Sequence, residues 1–176
     1  MNALQLAAAS LVAAVVSMHA GAQSAPARAP ESIERPASHD ALLRDAVRDG
    51  TVIVALFSLP GCPYCEAVRR EQLRHLARGQ SAQRLRVVEY ELGDRTPFAD
   101  AAARAHGPGN AADAVAPRSP AALAASLDIR VAPTVAFIGP DGKEVAERLV
   151  GYSSPDFYGA YLEQRIAQAR SRIGAR

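Results

Sequence analysis

The strongest constraint on the fold is an apolar run that leads into a pair of cysteines. Residues 51–57 read Thr-Val-Ile-Val-Ala-Leu-Phe, a continuous apolar and β-branched stretch that is typical of a strand buried on both faces. Cys62 and Cys65 follow it and are the only cysteines of the chain. Pro63 suits the first turn of a helix, and a helical pattern runs over 66–78. The sequence therefore predicts a Cys-x-x-Cys at a strand-to-helix junction.

Cysteines at such a junction favour redox chemistry. The N-terminus of a helix has unpaired N–H groups and a partial positive charge. A thiolate on Cys62 would lie against that charge, so we expect its pKa to fall below that of a free thiol. Because only the thiolate attacks a disulfide, this position would make Cys62 reactive.

Two other interpretations of the cysteines stay open at this point. A structural zinc site needs about four ligands, but the chain has no second cysteine pair and its 4 histidines are scattered. A purely structural disulfide would close a very short loop, and such a loop constrains the unfolded chain little. The redox interpretation is the favoured one.

Composition indicates one globular domain with appendages. The chain has 176 residues, of which 49% are hydrophobic and 22% charged. The formal net charge is +2 and no basic block stands out, so nucleic-acid binding is not predicted.

The first 37 residues are predicted to precede that domain. Residues 1–22 resemble a secretory signal peptide, with an apolar stretch from Leu4 to Val16 and an A-x-A cleavage site at 20–22. The segment before the apolar stretch has no Lys or Arg, so the alternatives are an uncleaved anchor or a wrongly assigned start of the chain. Residues 23–37 contain three prolines and predict a flexible linker. Secretion would place the cysteines in an oxidising compartment.

The rest of the chain alternates between helix and strand patterns. Ser38 is a predicted N-cap, and Asp49-Gly50 ends the first helix. Further strands are predicted over 85–92, 134–138 and 143–150, and short helices over 98–106 and 121–127. A final helix follows Ser153 or Ser154, with a predicted packing face of Phe157, Tyr161, Leu162 and Ile166. On the helix after the cysteines, the predicted solvated face consists of Arg69, Arg70, Arg74 and Arg78.

An Ala/Gly/Pro-rich insertion is predicted over about 94–119. The helix over 98–106 belongs to it, and Gly107-Pro108-Gly109-Asn110 ends that helix. The insertion is either a tolerated loop or a lid or partner surface, and the sequence favours the tolerated loop.

Two motifs together resemble the thioredoxin fold. The first is Gly61-Cys62-Pro63-Tyr64-Cys65, and the second is Val131-Ala132-Pro133-Thr134, which a hairpin turn and a capped helix follow. The resemblance covers about 38–170 and is closest to secreted bacterial thioredoxin-like thiol:disulfide oxidoreductases, including the periplasmic thioredoxin of sulfur-oxidation systems. It implies an α/β thioredoxin fold over 38–176, with a central mixed sheet flanked by helices and the insertion at 94–119.

The resemblance also implies roles for individual residues. Cys62 would be the nucleophile and Cys65 the buried resolving thiol, while Pro133 would be a cis-proline beside them. The substrate-binding positions would be Pro63, Tyr64, Ala132 and Pro133. No metal and no cofactor are implied beyond the redox-active disulfide Cys62–Cys65.

The implied function is thiol:disulfide exchange in the periplasm. The substrates would be disulfides of proteins or small thiols, with a membrane electron donor or acceptor as a further partner, and the protein would be a monomer. The alternative is a thiol-based Cu(I) or metal-binding module, or one that chaperones a partner, without exchange activity.

The sequence departs from the family pattern at several positions. Leu56 stands where thioredoxins carry a buried carboxylate, and the chain has no tryptophan. Glu66 follows the second cysteine, where a basic residue is common; it either opposes the helix charge at Cys62 or is an ordinary first-turn acid. Pro63-Tyr64 matches glutaredoxins, but no Gly-Gly-Asp of a glutathione site follows the Pro133 strand.

Overall fold

A four-stranded mixed sheet is the centre of the computed structural model, which describes residues 33–104 and 116–174. The strands are β1 (Val52–Ser58), β2 (Leu85–Glu91), β3 (Thr134–Ile138) and β4 (Glu144–Val150), in the spatial order β2-β1-β3-β4. Strand β1 runs parallel to β2 and antiparallel to β3, and β4 is antiparallel to β3. The predicted α/β fold with a mixed sheet is confirmed.

Helices cover both faces of this sheet. In chain order they are α1 (His39–Asp49), α2 (Pro63–Ala67), α3 (Arg74–Gly79), α4 (Ala99–Arg104), α5 (Pro120–Ser126) and α6 (Pro155–Gly174). A π-helical turn, Val68–Leu73, joins α2 to α3. Among the helices described, none has both the length and the apolar character needed to cross a membrane.

Strand β1 divides the core into two halves. Its side chains at 52, 54 and 56 pack with α6 and the π-helical turn, whereas those at 53, 55 and 57 pack with α1, α4 and α5. All of these side chains are fully buried. Successive side chains of a strand point to opposite faces, so a continuous apolar run can supply both halves at once.

The ends of the first helix lie where the sequence predicts them. The Ser38 hydroxyl accepts a hydrogen bond from the Ala41 N–H at 3.0 Å, which caps the first turn. Gly50 ends α1 with φ of 59°, a left-handed conformation that glycine adopts without strain.

The predicted packing face of α6 needs correction. Leu162 and Ile166 are buried as expected, but Phe157 is 66% exposed and Tyr161 is 53% exposed. Tyr158 enters the core instead, where its ring lies 5.0 Å from that of Tyr152. The buried stripe therefore follows the spacing 158, 162, 166 and 169, one position later than the aromatic residues suggested.

The predicted linker also needs correction at its C-terminal end. Ile33 is 5% exposed and packs in the same half of the core as α6. Glu34 forms a parallel bridge with Val88 of β2, and the Glu89 N–H donates to the Glu34 carbonyl at 2.8 Å. Residues 33–37 therefore belong to the folded unit. The predicted signal peptide, 1–22, and residues 23–32 lie outside the described residues.

The insertion is anchored at both of its ends. Phe98 and Ala101 are buried against α1 and β2, although the sequence favours a tolerated loop here. The Phe98 N–H donates to the Arg118 carbonyl at 2.9 Å, and the Ala99 N–H donates to the Ala37 carbonyl at 2.8 Å. The middle of the insertion, 105–115, lies outside the described residues.

We predict that Ile33→Ala lowers the free energy of unfolding by about 2–4 kcal/mol, because it removes buried methyl groups and leaves a cavity. Urea unfolding followed by circular dichroism measures this change. Val47→Ala is the matched control, since Val47 is 63% exposed and its truncation should change stability by less than about 0.5 kcal/mol. An Ile33→Ala variant as stable as the parent would show that the segment does not contribute to the core.

Candidate active site

The two cysteines lie where strand β1 gives way to helix α2. They form a disulfide, with Cα atoms 5.3 Å apart. Cys65 is fully buried, whereas Cys62 is partly exposed and is the N-cap residue of α2. Gly61, just before it, has φ of 69°, which favours glycine at this turn. Only one of the two sulfur atoms is therefore open to a second molecule.

The Cys62 sulfur has a backbone donor of its own. The Cys65 N–H points to the Cys62 Sγ at 3.1 Å, which is the hydrogen bond that an N-cap side chain normally accepts. Pro63 occupies the first turn of the helix, where its missing N–H removes no hydrogen bond. The predicted strand-to-helix placement of the motif is confirmed.

Pro133 lies at the same end of the sheet. The Ala132–Pro133 peptide bond is cis, as the resemblance implies. Thr134, the next residue, pairs with Phe57 near the end of β1, which brings the cis-proline to the edge where the cysteines begin. Pro133 is buried, Ala132 is half-buried, and the Pro133 carbonyl accepts a hydrogen bond from the Gly151 N–H at 2.7 Å.

A buried carboxylate that the sequence analysis missed lies beneath this edge. Glu89 of β2 is 3% exposed and pairs in register with Leu56. Its carboxylate accepts a hydrogen bond from the Ser58 hydroxyl at 2.6 Å and two from the Arg69 guanidinium, at 3.1 Å and 2.5 Å. The missed signal was a lone glutamate among the buried residues of β2.

The surroundings of Glu89 keep it ionised at neutral pH. Burial alone would raise the pKa of the carboxyl group. Hydrogen bonds from Arg69 and Ser58, together with the positive charges of Arg69 and Arg35, outweigh that effect and lower the pKa below its ordinary value. Glu89 is therefore a fixed negative charge with its hydrogen-bond acceptors occupied.

Arg69 was predicted to lie on a solvated helix face, and this was wrong. Its side chain is only 21% exposed, because it binds both Glu89 and Glu66. It lies in the π-helical turn, where residues five apart share a face, so Val68 and Leu73 are both buried. Arg69 thus links β2 to the helix that carries the cysteines, and the Glu66 carboxylate is held in an ion pair.

The remaining predicted site residue, Tyr64, is 61% exposed. It lies between the two cysteines in α2 and faces solvent rather than the core. In residues 33–104 and 116–174, no group of three or more His, Cys, Asp or Glu side chains is arranged to hold a metal ion.

Comparison with known proteins identifies the family. The model of the thioredoxin-like domain family matches residues 40–166, which is most of the chain. The chain belongs to the thioredoxin-like domain family. A search of the curated proteins found no match. Members of this family are generally oxidoreductases, and the fold together with the Cys62–Cys65 disulfide supports thiol–disulfide redox chemistry.

Solved structures agree with this fold at low sequence identity. One match is a DsbH oxidoreductase, with 16% identity and a TM-score of 0.53, covering 85% of this chain and 92% of that chain. A wild-type thioredoxin h from poplar matches with 18% identity and a TM-score of 0.50, covering 76% and 96%. The periplasmic thioredoxin SoxS from Paracoccus pantotrophus has 20% identity over 67% of this chain and 98% of its own, with a TM-score of only 0.42. The likeness to the DsbH oxidoreductase and to the poplar thioredoxin h concerns the fold alone.

We predict that Glu89→Gln lowers the free energy of unfolding by roughly 3 kcal/mol at pH 7, because the Arg69 charge loses its buried partner. The pKa of Glu89 is lower in the folded protein than in the unfolded chain. The carboxylate's contribution is therefore complete above the unfolded pKa of about 4.3 and is lost as pH falls through the folded value. Urea unfolding from pH 7 down to pH 3 should show the two proteins converging at the acid end.

Glu147→Gln is the matched control for this experiment. Glu147 also forms an ion pair with an arginine, Arg165, but its side chain is 73% exposed. An exposed pair contributes less than about 1 kcal/mol, so this variant should unfold almost like the parent at every pH. A Glu89→Gln variant with the same small effect would contradict the buried ion pair.

Proposed function

We propose that the protein catalyses thiol:disulfide exchange through Cys62 and Cys65, reducing disulfides of periplasmic proteins or small thiols. The observation that carries this proposal is the unequal burial of the two cysteines at the end of β1. An exposed sulfur can meet a substrate, and a buried sulfur beside it can act only after the substrate is bound. This is the division of labour that dithiol exchange requires.

The first chemical step is attack by the Cys62 thiolate on one sulfur of the substrate disulfide. A bond forms between Cys62 and that sulfur, the substrate S–S bond breaks, and the other substrate sulfur leaves as a thiolate that takes a proton from water. The Cys65 N–H, which points to the Cys62 Sγ, would stabilise the attacking thiolate.

The second step returns the pair to the disulfide form. The Cys65 thiolate attacks the Cys62 sulfur of the mixed disulfide, and the bound substrate sulfur leaves as a thiol after protonation. The substrate gains two electrons and the Cys62–Cys65 pair loses two. A dithiol donor must then reduce the pair, and we propose a membrane electron donor for that role.

The choice of direction rests on the motif itself. No histidine lies between the cysteines, and a protonated histidine there would stabilise the thiolate and make the pair a stronger oxidant. A reductase is therefore favoured. The periplasmic location rests on the signal-like residues 1–22 and on the use of a disulfide pair, which suits an oxidising compartment.

Exposed apolar side chains around the disulfide support a protein or peptide substrate. Leu59, Tyr64 and Val131 are 44%, 61% and 51% exposed, and they lie beside Cys62 in sequence or just before the cis-proline. Val150, at the end of β4, is 59% exposed and pairs with Thr134. We propose that these residues, with Pro63, Ala132 and Pro133, form the surface that receives the substrate.

The chemical steps predict different outcomes for the two cysteine variants. Cys62→Ser should reduce insulin no faster than the assay's reducing agent alone, because the attacking sulfur is gone. Cys65→Ser should also lose turnover, yet it should accumulate a mixed disulfide with substrate that a thiol reagent releases. Insulin turbidity measures turnover, and mass spectrometry of the protein detects the mixed disulfide.

Turnover by Cys62→Ser at the parent rate would refute the proposal. A mixed disulfide on Cys62→Ser but not on Cys65→Ser would reverse the roles of the two cysteines. Circular dichroism of both variants checks that each remains folded.

A further inference from the structure

A cleft of about 420 Å³ opens beside the Cys62 sulfur. One wall is the turn at 59–61, and another is the helix surface that carries Glu66 and Arg69. The third comes from Arg35, in the segment that the sequence assigned to a flexible linker. The volume lies within the range of about 300–1,000 Å³ that is usual for small-molecule sites.

Arg35 is held at this cleft by the backbone around it. Ile33 is buried in the core, and Glu34 is bridged to Val88 of β2. The Glu89 N–H donates to the Glu34 carbonyl at 2.8 Å, immediately before Arg35. The backbone position of Arg35 is therefore set by pairing with the sheet.

The two arginines of the cleft differ in how many hydrogen bonds and ion pairs they already form. Arg69 donates three hydrogen bonds, two to Glu89 and one to Glu66, and is 21% exposed. Among the residues that the structure describes, Arg35 forms one ion pair, with its guanidinium 3.5 Å from Glu89 Oε1, and its side chain is 63% exposed. That oxygen already accepts from Ser58 and Arg69. As far as the described part of the chain is concerned, Arg35 therefore retains donors for another anion.

Within residues 33–104 and 116–174, no other carboxylate forms a closer ion pair with Arg35. The positive charge of Arg35 contributes to lowering the pKa of Asp94, but the Asp94 carboxylate accepts its hydrogen bond from the Thr96 N–H at 2.8 Å. The Glu66 carboxylate is paired with Arg69. A guanidinium with free donors next to a reactive sulfur is suited to bind a carboxylate.

We propose that Arg35 binds a carboxylate of the disulfide substrate while Cys62 attacks its sulfur. The inference rests on the proposed exchange activity and adds its substrate class: disulfides with a carboxylate a few bonds from the sulfur. Such a carboxylate comes either from a small acidic disulfide or from an acidic residue next to a substrate cysteine. Binding it to Arg35 holds the S–S bond at the mouth of the cleft.

The test compares three small disulfides of similar size. Dithiodiglycolate carries carboxylates, bis(2-hydroxyethyl) disulfide is neutral, and cystamine carries ammonium groups. The reduced full-length protein is mixed with each one, and samples are quenched with acid and alkylated. Mass spectrometry then counts the free thiols left on the protein, since the chain has no tryptophan to report by fluorescence. Each rate constant is divided by the rate constant for the reaction of the same disulfide with a small free thiol. This removes differences in the intrinsic reactivity of the three disulfides.

The parent should prefer the carboxylate disulfide over the neutral one, and the neutral one over cystamine. In Arg35→Gln the ratio of the carboxylate rate to the neutral rate should fall about 10-fold, the loss expected for one charge-assisted hydrogen bond. Arg35→Lys keeps the charge and should retain part of the preference. Arg48→Gln is the control, because Arg48 is an exposed arginine in the last turn of α1 and does not line the cleft. Its ratio should stay at the parent value.

A second arm tests the other source of the carboxylate. Two short peptides with one disulfide differ only in Glu or Gln beside the cysteine. A preference for the Glu peptide that Arg35→Gln removes supports an acidic protein site, and a preference confined to dithiodiglycolate supports a small acidic disulfide.

Three results would overturn the proposal. Equal ratios in the parent and Arg35→Gln, in both arms, would show that Arg35 does not contact the substrate. An equal loss for all three small disulfides would make Arg35 a residue that supports the fold around Glu89. A parent protein that reacts with no disulfide would refute the exchange activity itself, and this result is distinct from the first two.

Discussion

Complete burial of strand β1 is the constraint on which the rest of the structure depends. The strand has hydrogen-bonded neighbours on both edges and a helical layer on both faces. None of its residues from Val52 to Phe57 has any exposed surface. The end of this strand is therefore fixed in position relative to the rest of the domain. Cys62 follows only a short turn later, so the rigidity of the sheet determines where the reactive sulfur lies.

The buried carboxylate of Glu89 also fixes the position of the cysteines, because it binds residues on both sides of them in the chain. Ser58 ends β1, Glu89 lies on β2, and Arg69 lies in the π-helical turn after Cys65. One carboxylate thus connects the chain before the disulfide to the chain after it. Such an ion pair contributes little net stability, since desolvation offsets much of the attraction between the charges. It does, however, fix the relative positions of the groups it joins. Removing the carboxylate is nevertheless costly, because Arg69 then loses its buried partner.

Much of the fold could be predicted from local pattern. The apolar run of β1, the Ser38 cap and the Gly50 end of α1 depend on neighbouring residues, and all three were correct. The burial of Arg69 and Ile33 depends on partners far along the chain. Helical periodicity therefore placed Arg69 on a solvated face, and the prolines around Ile33 placed it in a flexible linker. The sequence also shows that β1 carries Leu56 where thioredoxins have a buried carboxylate. It does not show that Glu89 of β2 lies beside Leu56, because that depends on the register of the two strands in the sheet. The cysteines and the cis Ala132–Pro133 bond could be found because two short motifs carry them.

The segment 33–37 shapes the surroundings of the reactive sulfur, whereas other parts of the chain build the redox centre. It contributes one side chain to the core and one short bridge to the sheet, and β1, the disulfide and the cis-proline are built without it. Changes in its length or charge would remodel one wall beside the reactive sulfur while leaving the sulfur where it is. Substitutions in these few residues can therefore alter the surface beside the redox centre without altering the redox centre itself.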